Sequence, residues 1–96
     1  MSLTLANNQE LSPLAEPWAR MTGESAKAFR AFAIFRDLGA SRSLSQVAEV
    51  LVEDAPERKP ATVLSQLKKW SSSHRWVKRT EEYDAFLDQQ LVEQTL

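Results

Sequence analysis

Trp76, Thr80, Tyr83, Leu87 and Leu91 recur at i, i+4, i+7, i+11 and i+15, a spacing that only a helix gathers onto one face. At about 3.6 residues per turn they form a continuous stripe, predicting an α-helix from about Trp76 to Glu93. Nothing elsewhere competes with that reading. Two glycines and four prolines punctuate the 96 residues, and no stretch alternates β-branched residues with period two, so strands are not expected. The predicted fold class is all-α: a small helical bundle.

Three further helices are legible. Thr22-Gly23-Glu24-Ser25 opens the first, which runs to about Leu38 and stops at Gly39, glycine being the residue that most readily terminates a helix. Phe29, Phe32 and Phe35 lie on one side, Ile34 and Leu38 on the other; a helix apolar on two sides belongs at the centre of a bundle. Ser43, with Gln46 three residues on, reads as a capping box, and Leu44, Val47, Ala48 and Leu51 form the stripe of a short second helix ending near Glu53. After the polar stretch Glu53 to Lys59, Pro60 suits the first turn of a third helix, where its missing N–H leaves no partner wanting. That helix reaches about Trp70, with Val63, Leu67 and Trp70 on its packing face. Ser71 to Ser73 are the expected break, because serine competes for backbone hydrogen bonds. Residues 1–17 read as a frayed N-terminal segment, with Ser12-Pro13 able to start a turn, and 18–96 as one domain whose first large anchor is Trp18.

The charges are sorted along the chain. Met1 to Glu57 carries five basic and eight acidic residues, Arg58 to Arg79 seven basic and none acidic, and Thr80 to Leu96 five acidic and none basic. The net charge of −1 conceals this segregation, which is the electrostatic footprint of a surface made for an anionic partner. Trp70 and Trp76 fall on apolar stripes, so they are expected to face inward and rivet the third helix to the fourth. Lys68, Lys69, Ser71 to Ser73, Arg75, Lys78 and Arg79 are left for the outside. Lys78 and Arg79 also stand in the first turn of a helix, where the dipole disfavours cations, and a local rule broken without visible compensation points to function.

A short helix, a connection and a second short helix with a small, polar outer face match a helix-turn-helix arrangement for double-stranded DNA. Thr62, Ser65, Gln66 and Lys69 of the third helix are the candidates for base contact, and Lys68, Ser71, Arg75, Lys78 and Arg79 for phosphate contact. Arg42 and Ser43, at the N-terminus of the second helix, offer a further phosphate clamp. His74 has neither a cysteine nor a second histidine to work with and reads as a surface or capping group. Asp84 is placed to pair with an arginine. There is no glycine-rich phosphate loop and no clustered catalytic set, so the expectation is a non-enzymatic protein with no metal and no cofactor. The N-terminus has no basic and apolar leader, no run is long enough to span a bilayer, and cysteine is absent; a cytoplasmic location without membrane contact is expected.

The stretches "GESAKAFRAFAIFRDLGASRSLSQVAEVL" and "LKKWSSSHRWVKRTEEYDAFL" together resemble a helix-turn-helix segment of phage and prophage proteins, terminase small subunits among them. The resemblance spans about Trp18 to Leu87. It is carried by Glu24-Ser25 with the aromatic helix, Phe35-Arg36-Asp37, Arg42-Ser43-Leu44, Trp70-Ser71, Trp76, Arg79 and Tyr83-Asp84. It implies recognition of double-stranded DNA at a packaging site inside a bacterial host, with cleavage and ATP hydrolysis left to a separate large subunit. The rival reading is a protein-interaction adaptor whose basic patch (58–79) meets an acidic partner and whose acidic C-terminal helix meets another subunit. Leu87, Leu91 and Val92 lie beyond the reach of a small core, which makes self-association an expectation of its own.

Overall fold

The structure, a computed structural model, describes residues 16–95. Among them the chain forms four α-helices and no strand: α1 (Ala26–Asp37), α2 (Leu44–Asp54), α3 (Pro60–Ser73) and α4 (Trp76–Thr95), with a 3-10 turn at Gly39–Ser41 between α1 and α2. The all-α bundle is as expected. Ser12-Pro13 and most of the segment read as frayed lie outside the described residues.

The helix ends follow local chemistry. Ser25 Oγ accepts from the Ala28 N–H at 3.0 Å to cap α1, and Gly39, at φ +66°, takes the left-handed conformation that turns the chain after it. Ser43 Oγ caps α2 by accepting from the Gln46 N–H at 3.1 Å. The reciprocal half of the predicted capping box is not made: Gln46 Oε1 is buried with no partner among the described residues. The serines do not break the chain either. They complete the last turn of α3, and the interruption falls at His74 and Arg75, where His74 caps the helix by donating its N–H to Trp70 O and Arg75 stands at φ +54°. A left-handed arginine costs roughly 1 kcal/mol, but it permits a two-residue connection between α3 and α4.

The core is built around α1, which touches each of the other three helices. Phe32, Val47, Val63, Leu67 and Trp76, the last two from α3 and α4, are fully buried. The Trp76 indole lies 5.8 Å from Phe32 and 5.6 Å from Phe35, ring centre to ring centre, so it rivets α4 to α1. Trp70 packs at the edge of the core and is only half-buried. Residues 16–24 lie as a strap along the bundle, with the Trp18 ring 5.6 Å from Tyr83 and 4.8 Å from Phe86 of α4. No described helix is long and apolar enough to cross a membrane.

Candidate nucleic-acid interface

The seven cations of the acid-free run divide six to one. Arg58, Lys59, Lys68, Lys69, Arg75 and Lys78 are exposed, and among the described residues none of them pairs with a carboxylate. Geometry on α3 explains the division there. Val63, Leu67 and Trp70 take the inner face, which turns Thr62, Ser65, Lys69 and Ser72 to the opposite side, with Lys68 beside them. Thr62, Ser65, Lys68, Lys69, Arg75 and Lys78 are therefore presented outward, as the sequence predicted. Gln66 and Ser71 flank the packing face and are half-buried.

Arg79 is the exception, and the expectation that it faces outward is corrected. It is 4% exposed, and all of its guanidinium N–H groups are engaged. Nε donates to Pro17 O at 2.6 Å; Nη1 donates to Glu24 Oε2 and His74 O at 3.0 and 3.1 Å; Nη2 donates to Glu24 Oε1 and Ala19 O at 3.0 and 2.9 Å. An arginine side chain carries five N–H donors, so none remains for a phosphate. The guanidinium also lies 3.8 Å over the Phe32 ring, a cation–π contact strengthened by desolvation. Glu24 is equally buried, and its Oε1 accepts a further bond from the Met21 N–H. Burying two charges is unfavourable unless the pair is bidentate and its remaining hydrogen-bonding groups are satisfied, as they are here. This cluster supplies the compensation that the sequence hid: the cation in the first turn of α4 ties down the strap at Pro17, Ala19 and Glu24, the first of them at the edge of the segment read as frayed.

The predicted clamp at the start of α2 is also occupied in part from within. Arg42 Nη1 and Nη2 donate to Asp84 Oδ2 and Oδ1, each at 2.7 Å, while Nε and Nη2 donate to Phe35 O and Arg36 O. Asp84 thus takes the arginine partner expected for it. The hydrogen bonds from Arg42 hold its carboxyl below the usual aspartate range and raise the Arg42 guanidinium further. Ser43 Oγ accepts from the Gln46 N–H to cap α2, which uses a lone pair and not its O–H donor. Arg42 is the member of the predicted clamp that is held from within.

Two residues left out of the predicted contacts join the surface. Arg58 and Lys59 are exposed immediately before α3, where the 55–59 connection makes a turn with Arg58 N–H on Ala55 O. The signal for them was already there, since the acid-free run begins at Arg58. Between α2 and α3 lies a cleft of about 620 Å³ lined by apolar side chains such as Ala48, Val52 and Leu64, with Glu49 and Glu53 at its edge. Among the described residues no group of acidic or histidine side chains is arranged to hold a metal. No family model, curated protein or solved structure matches the chain.

Proposed function

We propose that this chain is a non-enzymatic double-stranded DNA-binding protein of the helix-turn-helix kind, with α3 as the reading helix. One observation carries the reading: six exposed cations without carboxylate partners lie on α3 or next to it along the chain, and the outer face of that helix is otherwise alanine, threonine and serine. Small polar side chains let a helix approach base edges, while flanking lysines and arginines hold phosphates. Thr62, Ser65 and Lys69 are proposed to reach bases, with Gln66 at the margin. Arg58, Lys59, Lys68, Arg75 and Lys78 are proposed to meet the backbone. Arg42 and Arg79 act from beneath by holding the elements in place, and Ser43, at the N-cap of α2, keeps an O–H donor for a phosphate. Recognition of a phage packaging site as a terminase small subunit, in the cytoplasm of a bacterial host and beside a large-subunit ATPase and nuclease, is the particular role that the sequence resemblance suggests.

The test is a fluorescence-anisotropy titration with random and candidate duplexes at several salt concentrations. With about four to six phosphates neutralised per copy, log K falls against log salt with a slope of roughly −4 to −5. No binding at low salt, with protein concentrated enough to allow assembly, rejects the reading.

A further inference from the structure

The far end of α4 carries a second surface of opposite character. Leu87 and Leu91 continue the stripe of Trp76, Thr80 and Tyr83, yet they are 41% and 60% exposed, whereas Trp76 is fully buried. α4 has 20 residues and is therefore about 30 Å long, and its last turns extend past the helices that cover its beginning. Trp18 shields one side of Phe86, and the stripe beyond stays open. Every charge along it is negative: from Thr80 to Leu96 there are five acids and no base. Asp84 is taken by Arg42, but among the described residues Glu81, Glu82, Asp88 and Glu93 have no cationic partner. Asp88 borders the leucines on one edge, together with Glu81 and Asp84, while Phe86 and Gln90 border the other edge and Glu93 lies on the back of the helix.

Charge complementarity selects the occupant. A second α4 laid antiparallel on this stripe sets its acidic edge against the same edge of the first, and laid parallel it still brings further unpaired acids and no base, whereas like charges are unfavourable beside a seam and opposite charges choose the partner. The exposed α3 face of a second copy has the right sign but lacks apolar side chains to enter the stripe. We propose that the Leu87–Leu91 stripe of α4 is a docking surface for an amphipathic helix of a partner protein that presents an apolar face flanked by lysine or arginine. This stands independently of the DNA-binding reading, since it uses none of the same residues.

The probes are labelled model peptides added to the intact chain and followed by anisotropy at physiological salt. One is a leucine/lysine amphipathic helix, one the same composition scrambled so that no stripe forms, and one a leucine/glutamate helix. The expected result is binding of the first at least about ten-fold tighter than of the other two. It should weaken by about ten-fold or more in Leu87→Gln/Leu91→Gln, which removes the stripe and keeps every charge. Both positions are exposed, so the variant's thermal melt should match the parent's. Equal binding of the scrambled peptide, or undiminished binding by the folded double variant, reduces the contact to general charge attraction or moves it to another acidic site such as the α2–α3 cleft, and overturns the proposal. So does failure of all three peptides to bind. A dimer in sedimentation velocity that the double variant dissociates also overturns it, assigning the surface to a second copy.

Discussion

Lys78 and Arg79 are neighbours in one helical turn and belong to different regions of the molecule. Lys78, like five other cations of the acid-free run, is exposed to water and has no carboxylate partner among the described residues. Arg79 sits beneath the strap with every donor bonded, a carboxylate beside it and an aromatic ring below. The difference teaches that a run of basic residues is not one object. A cation is structural when its hydrogen-bonding groups are met from within, and available when they are not.

The hardest test of that contrast is Arg79→Ala. It leaves the Glu24 carboxylate buried without its partner, which costs about 3–5 kcal/mol, a large share of the roughly 5–15 kcal/mol that holds a domain together. Chemical denaturation should show the loss, and Trp76→Ala should match it, at about 3–5 kcal/mol, through the cavity left against Phe32 and Phe35. Trp70→Ala should cost less, because Trp70 is only half-buried. An Arg79→Ala protein as stable as its parent but deficient in DNA binding would erase the distinction between the two regions.

Arg75 sharpens the contrast from the other side. Arg75→Gly relieves the left-handed strain and should raise stability by about 0.5–1 kcal/mol, while removing one exposed cation should flatten the salt slope by about one unit. Stability and affinity then move in opposite directions.

Asp84 gives a smaller, pH-dependent effect. Its folded pKa is depressed by Arg42, so the stabilisation is present above the unfolded aspartate value of about 3.9 and is lost as pH falls through the lower folded value. Half-exposed as the pair is, the increment should be about 0.5 kcal/mol. Denaturation curves of the parent should lose it on acidification below about pH 4, and Asp84→Asn should lack it throughout. Smallest of all in stability are Lys68→Ala and Lys69→Ala, each within about 0.5 kcal/mol. Lys69→Ala should relax discrimination between duplexes, whereas Lys68→Ala should weaken all of them alike. If both variants, properly folded, bind every duplex like the parent, α3 is not the reading helix.

Most of the fold was legible because helices announce themselves through local periodicity and caps. The Ser25 and Ser43 caps, Gly39 at the end of α1, Pro60 at the start of α3 and the aromatic α1 at the centre were all readable. The α3–α4 boundary was misplaced for a physical reason. Serine is a mediocre helix former, but packing of Leu67 and Trp70 carries α3 through Ser73, and the stop is set by the left-handed Arg75, which no propensity marks. On the candidate surface the outward residues of α3 followed from the helical wheel. Arg42 and Arg79 did not, because their partners lie at Asp84 and at Pro17, Ala19 and Glu24, far along the chain.

What the sequence by itself determined is thus the set of four helices, their apolar faces and the sorting of charge into a basic run and an acidic end, since each depends on residues within a few positions of one another. The tertiary structure decided which cations remain available and which apolar positions stay uncovered. Arg79 goes inward because the strap brings three carbonyl- and carboxylate-bearing residues to its fork, and Leu87 and Leu91 stay outward because α4 is longer than the bundle that covers it. Both outcomes depend on where distant segments meet, and side-chain spacing carries no record of that.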